Sequence, residues 1–243
     1  MRRKRSPTNT GGSMPMPSWP SPSRCAKAAT ASTCSVCCIG SRSHDGRSRR
    51  GCHLQRRHEA MNVTPTSLPD VLLIEPQIHG DQRGWFVESW QRERYREAGI
   101  DADFLQDNQS LSSHGTLRGL HIQNPHGQGK LVQVIQGEVY DVAVDVRRSS
   151  PYFGRWTGAH LSGENKHQLW VPKGFLHGFL VLSQTALFSY KCTEPYHPET
   201  QFAVRWDDPD IGIAWPLEGE PKLSAKDLHA PRLRDIPEAR LPD

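Results

Sequence analysis

The chain has 243 residues, 35% hydrophobic and 23% charged, with a mean hydropathy of -0.65 and a formal net charge of +4. No run approaches the roughly 18 apolar residues of a membrane-crossing helix, which excludes one, and the length suits one large domain or two small ones. The charge is unevenly spread: residues 1–60 hold twelve Lys/Arg against two acidic residues, and the remainder holds 18 against 24.

Ser, Pro, Gly and Arg dominate residues 1–60 without hydrophobic periodicity, the composition of a disordered basic arm. It also resembles an organelle transit peptide, while the missing apolar h-region argues against a secretory signal. Cys34-x2-Cys37 with Cys52, His53 and His58 has the outline of a zinc site, but no apolar run accompanies it to pack around a metal. Patterned sequence begins soon after Met61. The expectation is therefore a natural start at Met61, an arm derived from upstream reading, and one domain over residues 61–243. That body contains a single cysteine, Cys192, so it is not disulfide-stapled and fits a reducing cytoplasm. A nucleic-acid role would rest on the arm's charge alone.

Strand signals prevail after residue 70. Val71-Leu-Leu-Ile-Glu-Pro76 is a short β-rich run, followed by a turn over Gly80–Gly84. Glu88 to Ala98 reads as the one helix, with Gly99 as its stop. Leu131–Ile135 and Val139–Val146 read as a hairpin about Gly137, and Phe179–Ser183 with Ala186–Thr193 as a second one about Gln184-Thr185. Many short strands with little helix predict an all-β jelly roll with a few short helices. Along Val139–Val146, Asp141, Ala143 and Asp145 alternate with apolar neighbours, so one face is read as core and the other as polar or cavity-lining. Asp141 and Asp145 are equally readable as pocket residues or as buried partners of a cation. A small barrel with a polar interior is a natural small-ligand pocket.

Leu117-Arg-Gly-Leu-His121 is the most unusual stretch. A glycine inside a strand marks a bulge or a close backbone approach. His121 alone would be read as structural. Arg118 and Lys130 nearby change that reading, because two cations beside an imidazole suit a pocket that stabilises a phosphate or an enolate. A metal is not expected: Gln123 stands where a His-x-His pair would be completed, and His126, His160, His167 and His177 show no ligand pair at short spacing. P-loop, Rossmann and nucleophile-elbow motifs are absent.

Ordered motifs then carry a family resemblance from about Leu68 to Pro237. They include Gly80-Asp-Gln-Arg-Gly-Trp-Phe-Val-Glu88, Gln106-Asp-Asn108, Leu117-Arg-Gly-Leu-His121, Gln128-Gly-Lys-Leu-Val132 and Tyr140-Asp-Val-Ala-Val-Asp145. Further along come Ser150-Pro-Tyr-Phe-Gly154, Val171-Pro-Lys-Gly-Phe-Leu-His-Gly-Phe179, Tyr190-Lys191, Trp206-Asp-Asp-Pro209 and Leu223-Ser-Ala-Lys-Asp227. In this order they resemble the dTDP-4-dehydrorhamnose 3,5-epimerases. The resemblance implies a cupin-like jelly roll (a double-stranded β-helix), a cytoplasmic homodimer without cofactor or metal, and a dTDP-linked 4-keto-6-deoxy sugar as substrate. It implies inversion of C3 and C5 through an enolate, with His121 as base, Asp227 as its partner, Lys130 facing the C4 oxygen and Tyr190 as the acid on the opposite face. Histidine's ordinary pKa of about 6.5 suits a base working near neutral pH. By the same matching Arg83, Glu88, Gln106, Asn108, Arg118, His177 and Lys226 are substrate-binding residues. Milder readings stand beside two of these: Glu88 as a residue at the start of the helix, Lys226 as a solvated neighbour of Asp227.

Three positions depart from the family pattern: His79 replaces an aromatic residue near the nucleotide, Gln201 replaces a Glu, and Pro195-Tyr196 replaces an aromatic pair. They bear on nucleotide grip and sugar placement, and so on how many centres are inverted. A single-centre epimerase of a related dTDP-4-keto-6-deoxy sugar and a non-catalytic sugar-nucleotide binding module are the alternatives.

Overall fold

The structure, a computed structural model, describes residues 61–243; the basic arm and the expectations attached to it lie outside the described residues. Alternating and β-branched runs give strands β1 (Met61–Pro65), β2 (Leu72–Pro76), β3 (Ile78–Asp81), β4 (Gly84–Val87), β5 (Gln106–Ser113), β6 (Leu117–Gln123) and β7 (Lys130–Gln136). They continue as β8 (Glu138–Asp145), β9 (Trp156–Ser162), β10 (Gln168–Val171), β11 (Phe175–Val181), β12 (Thr185–Cys192) and β13 (Gln201–Ala203). Among the described residues, helices are limited to α1 (Arg92–Glu97), α2 (Ala225–Leu228) and two 3-10 turns near the C-terminus. The all-β jelly-roll expectation is met: a six-stranded sheet ordered β1-β2-β10-β7-β12-β5 lies with a five-stranded sheet ordered β13-β6-β11-β8-β9, and β3-β4 form a separate hairpin.

Neither long hairpin read from the sequence forms. β7 pairs with β10 and β12 in the six-stranded sheet, while β8 pairs with β9 and β11 in the other. Likewise β11 pairs with β6 and β8, and β12 with β5 and β7. Gly137 therefore carries the chain from one sheet to the other. Its φ is +83°, and a Cβ there would sit 2.1 Å from the Thr185 carbonyl oxygen, so only glycine fits the corner.

Three apolar clusters explain the layering. Between the sheets, Val132, Val134, Phe179, Val181 and Phe188 pack together, with the Phe179 and Phe188 rings stacked at 4.1 Å. On the outer face of the five-stranded sheet, Leu120, Val142, Val144 and Leu176 pack under Ile211, Leu233 and Ile236 of the C-terminal segment. Both faces of β8 are consequently buried, and the expected polar face is not solvent or cavity: Asp141 and Asp145 are fully buried. Asp145 bonds Arg147 and Ser150, and both Asp141 carboxylate oxygens lie 3.0 Å from His177 Nε2. Both are thus buried partners.

The third cluster seats α1 on the six-stranded sheet through Tyr95, Ile74, Ile100 and Leu131. The helix is shorter than the Glu88–Ala98 expectation. The Gln91 side chain caps it by accepting from the Arg94 N–H at 2.7 Å. Ser89 stays outside because its carbonyl accepts from the buried Gln168 amide at 2.7 Å, with the Tyr95 hydroxyl 2.9 Å away. Tertiary hydrogen bonds here override helix propensity.

Candidate active site

A cavity of about 690 Å³ opens between the two sheets. One wall is built from three adjacent strands in strict alternation. β7, β12 and β5 set Lys130, Cys192 and Gln106 in one cross-strand row and Val132, Tyr190 and Asn108 in the next. Because side chains alternate with period two, Lys130, Tyr190, Gln106, Asn108 and Ser110 all turn toward the cavity.

The opposite wall depends on a bulge. His177 pairs with His121 and Phe179 with Arg118, so two steps along β11 match three along β6. In a regular strand Arg118 and His121 would face opposite sides; the extra residue turns both into the cavity. Gly119 makes this possible. A Cβ on it would meet the Gly178 Cα at 2.6 Å, and its φ is +134°. The close backbone approach expected of the Arg-Gly-Leu-His stretch is present.

His121 is held from behind. Its Nε2 lies 2.5 Å from Asp227 Oδ1, and the Asp227 side chain is 4% exposed. Ser224 caps α2 by accepting from the Asp227 N–H at 3.1 Å, and its hydroxyl donates to Asp227 Oδ2 at 2.8 Å. A carboxylate accepts only, so Asp227 selects the imidazole tautomer with Nε2 protonated and leaves the lone pair on Nδ1. Burial alone would raise the Asp227 carboxyl pKa; the hydrogen bond and charge of His121, the Ser224 hydroxyl and Lys226 outweigh it and hold the pKa below the usual carboxylate range.

Electrostatics differ on the other wall. Burial pushes the Lys130 ammonium pKa down, with Cys192 and Asp141 pulling the other way. Burial pushes the Tyr190 phenol up, assisted by Cys192 and Tyr196 and opposed by Arg118. Arg118 donates to the Ser112 hydroxyl at 3.1 Å. Lys226 donates to Gln201 Oε1, which also accepts from the Tyr196 hydroxyl at 3.0 Å. Ser110 Oγ is buried with no hydrogen-bond partner, a polar atom left for whatever enters.

Of the residues singled out from the sequence, His121, Asp227, Tyr190, Lys130, Gln106, Asn108, Arg118, His177 and Lys226 line this one cavity. Arg83 and Glu88 do not. Arg83 is on the β3–β4 turn, paired with Asp81 and 85% exposed, and Glu88 pairs with Arg94. His79 is exposed on β3, beside Trp85 and Phe86, which are also exposed. Residues missed from the sequence include Ser110, Phe179, Phe188, Lys222 and Ser224. Ser224 was readable, since Ser-x-x-Asp is a capping pattern; the two phenylalanines share the period-two rows of His177 and Tyr190.

The chain matches the family model described as dTDP-4-dehydrorhamnose 3,5-epimerase over residues 65–235. It is 53% identical over 168 residues to the dTDP-4-dehydrorhamnose 3,5-epimerase of Neisseria gonorrhoeae, covering 69% of this chain and 51% of that one. The chain thus spans about half the length of that relative. A crystal structure of a dTDP-6-deoxy-D-glucose-3,5-epimerase from Legionella pneumophila Philadelphia 1 in complex with dTDP-4-keto-L-rhamnose is 54% identical. It superposes with a TM-score of 0.74, covering 75% of this chain and 97% of its own. A 3'-monoepimerase from Streptomyces bikiniensis in complex with dTDP-quinovose is 38% identical, with a TM-score of 0.66 over 70% of this chain and 87% of that one.

Proposed function

The chain belongs to the dTDP-4-dehydrorhamnose 3,5-epimerase family, a family of isomerases, and from this premise we propose that it inverts C3 and C5 of dTDP-4-dehydro-6-deoxy-D-glucose to give dTDP-4-dehydro-L-rhamnose. One observation carries the mechanism: His121 stands on the five-stranded sheet and Tyr190 on the six-stranded sheet, on either side of one cavity. His121 takes the proton α to the C4 ketone through Nδ1, and the electron pair of that C–H bond moves onto the C4 oxygen. Lys130 balances the enolate charge. Tyr190 then gives its proton to the same carbon from the other face, and solvent resets the imidazolium and the phenolate. Asp227 is a positioning residue: it fixes the tautomer and favours the imidazolium as it forms. Gln106, Asn108, Arg118, His177 and Lys226 hold the substrate, with the planar guanidinium of Arg118 suited to pyrophosphate oxygens.

The enzyme acts as a homodimer in this reading. Arg83 and Glu88 lie outside their own chain's cavity, on and just after a hairpin that exposes Trp85 at 58% and Phe86 at 68%. An exposed apolar hairpin with an arginine at its turn, paired only with its neighbour Asp81, suits the cavity of a second copy. Mixing His121→Ala with Arg83→Ala chains tests this, since mixed dimers regain one complete site. A cytoplasmic location accords with Cys192, which is free and buried, and no helix among the described residues is long and apolar enough to cross a membrane.

The alternatives are separated by NMR of the product mixture in D2O. Solvent deuterium at both C3 and C5 marks the double epimerase, at one carbon a single-centre enzyme like the Streptomyces bikiniensis neighbour, and at neither a binding module.

A further inference from the structure

We propose that His126, Glu194 and His197 form a binding site for a divalent transition-metal cation, with Zn2+ as the ion of matching chemistry, on the rim of the cavity and outside the epimerisation machinery. The three offer ligand atoms that all lie within 4.8 Å of one another. The imidazoles stack with centroids 4.5 Å apart, and Glu194 Oε1 is 3.8 Å from His126 Nδ1. Zinc bonds of about 2.0–2.2 Å place tetrahedral ligand atoms roughly 3.3 Å apart. Closing from the observed spacing needs only side-chain rotation, and the three side chains are 49%, 35% and 34% exposed, with room to make it.

The backbone that carries them is already fixed. Gln123, 4% exposed, donates from Nε2 to the His126 and Pro195 carbonyls at 2.6 and 3.0 Å. Its Oε1 accepts from the His197 N–H at 2.8 Å. Gln128 donates to the Glu194 carbonyl at 2.8 Å. His126 holds a φ of +66°, a conformation a side-chain-bearing residue keeps only where its surroundings impose it. Glu199 Oε1 lies 3.2 Å from His197 Nδ1, the carboxylate–imidazole contact that orients metal-bound histidines. Two imidazoles and one carboxylate favour zinc-like ions over Mg2+ or Ca2+.

None of the three residues lines the sugar-nucleotide cavity, but Tyr196, between Glu194 and His197, does. Its backbone N–H donates to Gln106 Oε1 at 2.9 Å. A bound ion would therefore tie two loops together at the cavity's edge. Glu194 and His197 stand three residues apart in one loop, and the cluster is completed only because the fold brings His126 to them from a distant segment.

The test is equilibrium dialysis of the full chain against Zn2+, because the cysteines and histidines of residues 1–60 can take up zinc themselves and only the difference between variants is informative. His126→Ala with His197→Ala is expected to remove one Zn2+ per chain while leaving kcat in metal-free buffer at the wild-type level. Glu194→Gln, which keeps the side-chain shape, is expected to weaken the same site at least tenfold, and covers the case in which the double variant misfolds. Zinc-edge anomalous diffraction from Zn2+-soaked crystals should place a peak among the three side chains. Unchanged zinc stoichiometry and affinity in both variants, a peak only elsewhere, or equal uptake of Ca2+ at these residues would overturn the proposal.

Discussion

His121 and Tyr190 line one cavity from different sheets, and only His121 is backed by a carboxylate, Asp227 Oδ1 at 2.5 Å from its Nε2. The two walls are built differently. The Tyr190 wall is a regular three-strand ladder, while the His121 wall depends on a bulge that turns two cavity residues to one side. This asymmetry matches a division of labour between a group that removes a proton and one that returns it.

Asp227→Asn keeps the shape of the side chain and removes its charge. The expected result is a fall in kcat of about 10²–10⁴-fold, the range of lost acid–base assistance, with KM little changed. The same variant should flatten the acid limb of the stability profile. The carboxyl pKa is lowered by folding, so its contribution is full above the ordinary carboxylate value of about 3.9 and is lost as pH falls through the lower folded value. Urea unfolding between pH 2 and 7 measures this; identical acid limbs in both proteins would contradict it.

Lys130 should set the alkaline limit of activity. Burial lowers its pKa, whereas burial raises that of Tyr190, which keeps its proton over the same range. The profile of kcat/KM should therefore fall at a pH below the ordinary lysine value of about 10.4. In Lys130→Arg, whose guanidinium stays charged, the limb should move upward even where the absolute rate drops. A limb that stays in place would assign the titration to another group.

The buried Asp141 should matter for stability through His177. Asp141→Ala leaves the His177 Nε2, in a side chain 8% exposed, without either of its 3.0 Å partners. A loss of about 1–3 kcal/mol follows from one unpaired buried polar group. Chemical denaturation reads it, and a change under about 0.5 kcal/mol, typical of surface sites, would show that His177 finds another partner.

A chain beginning at Met61 should fold and turn over like the full chain. The opposite charge balance of residues 1–60 and their lack of periodicity motivate this, and β1 pairs from Met61 itself onto β2. Thermal melting and turnover of the shortened chain decide it; a large loss of either would make the arm part of the domain.

Five strands, β2, β7, β8, β11 and β12, were legible from their β-branched runs, and Arg118, His121 and Lys130 from their unusual chemistry about Gly119, whereas the other cavity residues were named only through the family resemblance. Pairing was not legible. A glycine between two β runs looks the same locally whether the strands fold back on each other or diverge into separate sheets, as β7 and β8 do at Gly137. The face of β8 was misread because alternation marks the Val142 and Val144 face, which the C-terminal segment covers, as the buried one, while the face of Asp141, Ala143 and Asp145 is itself buried on the side between the sheets. Convergence of His126 with His197, and the distance of Arg83 from its own cavity, depend on tertiary placement that no local pattern encodes.

The most direct test of the mechanism follows deuterium in Tyr190→Phe and His121→Ala, each incubated with the dTDP-4-keto-6-deoxy sugar in D2O. Tyr190→Phe keeps the base and Lys130, so the enolate should still form and be reprotonated from the His121 side. NMR should then show solvent deuterium entering with retained configuration, exchange outrunning inversion. His121→Ala should lose exchange and inversion together, by about 10²–10⁴-fold or more. Inversion at the wild-type rate in Tyr190→Phe would contradict the account, leaving Tyr190 a packing residue and directing the search for the acid to Tyr196.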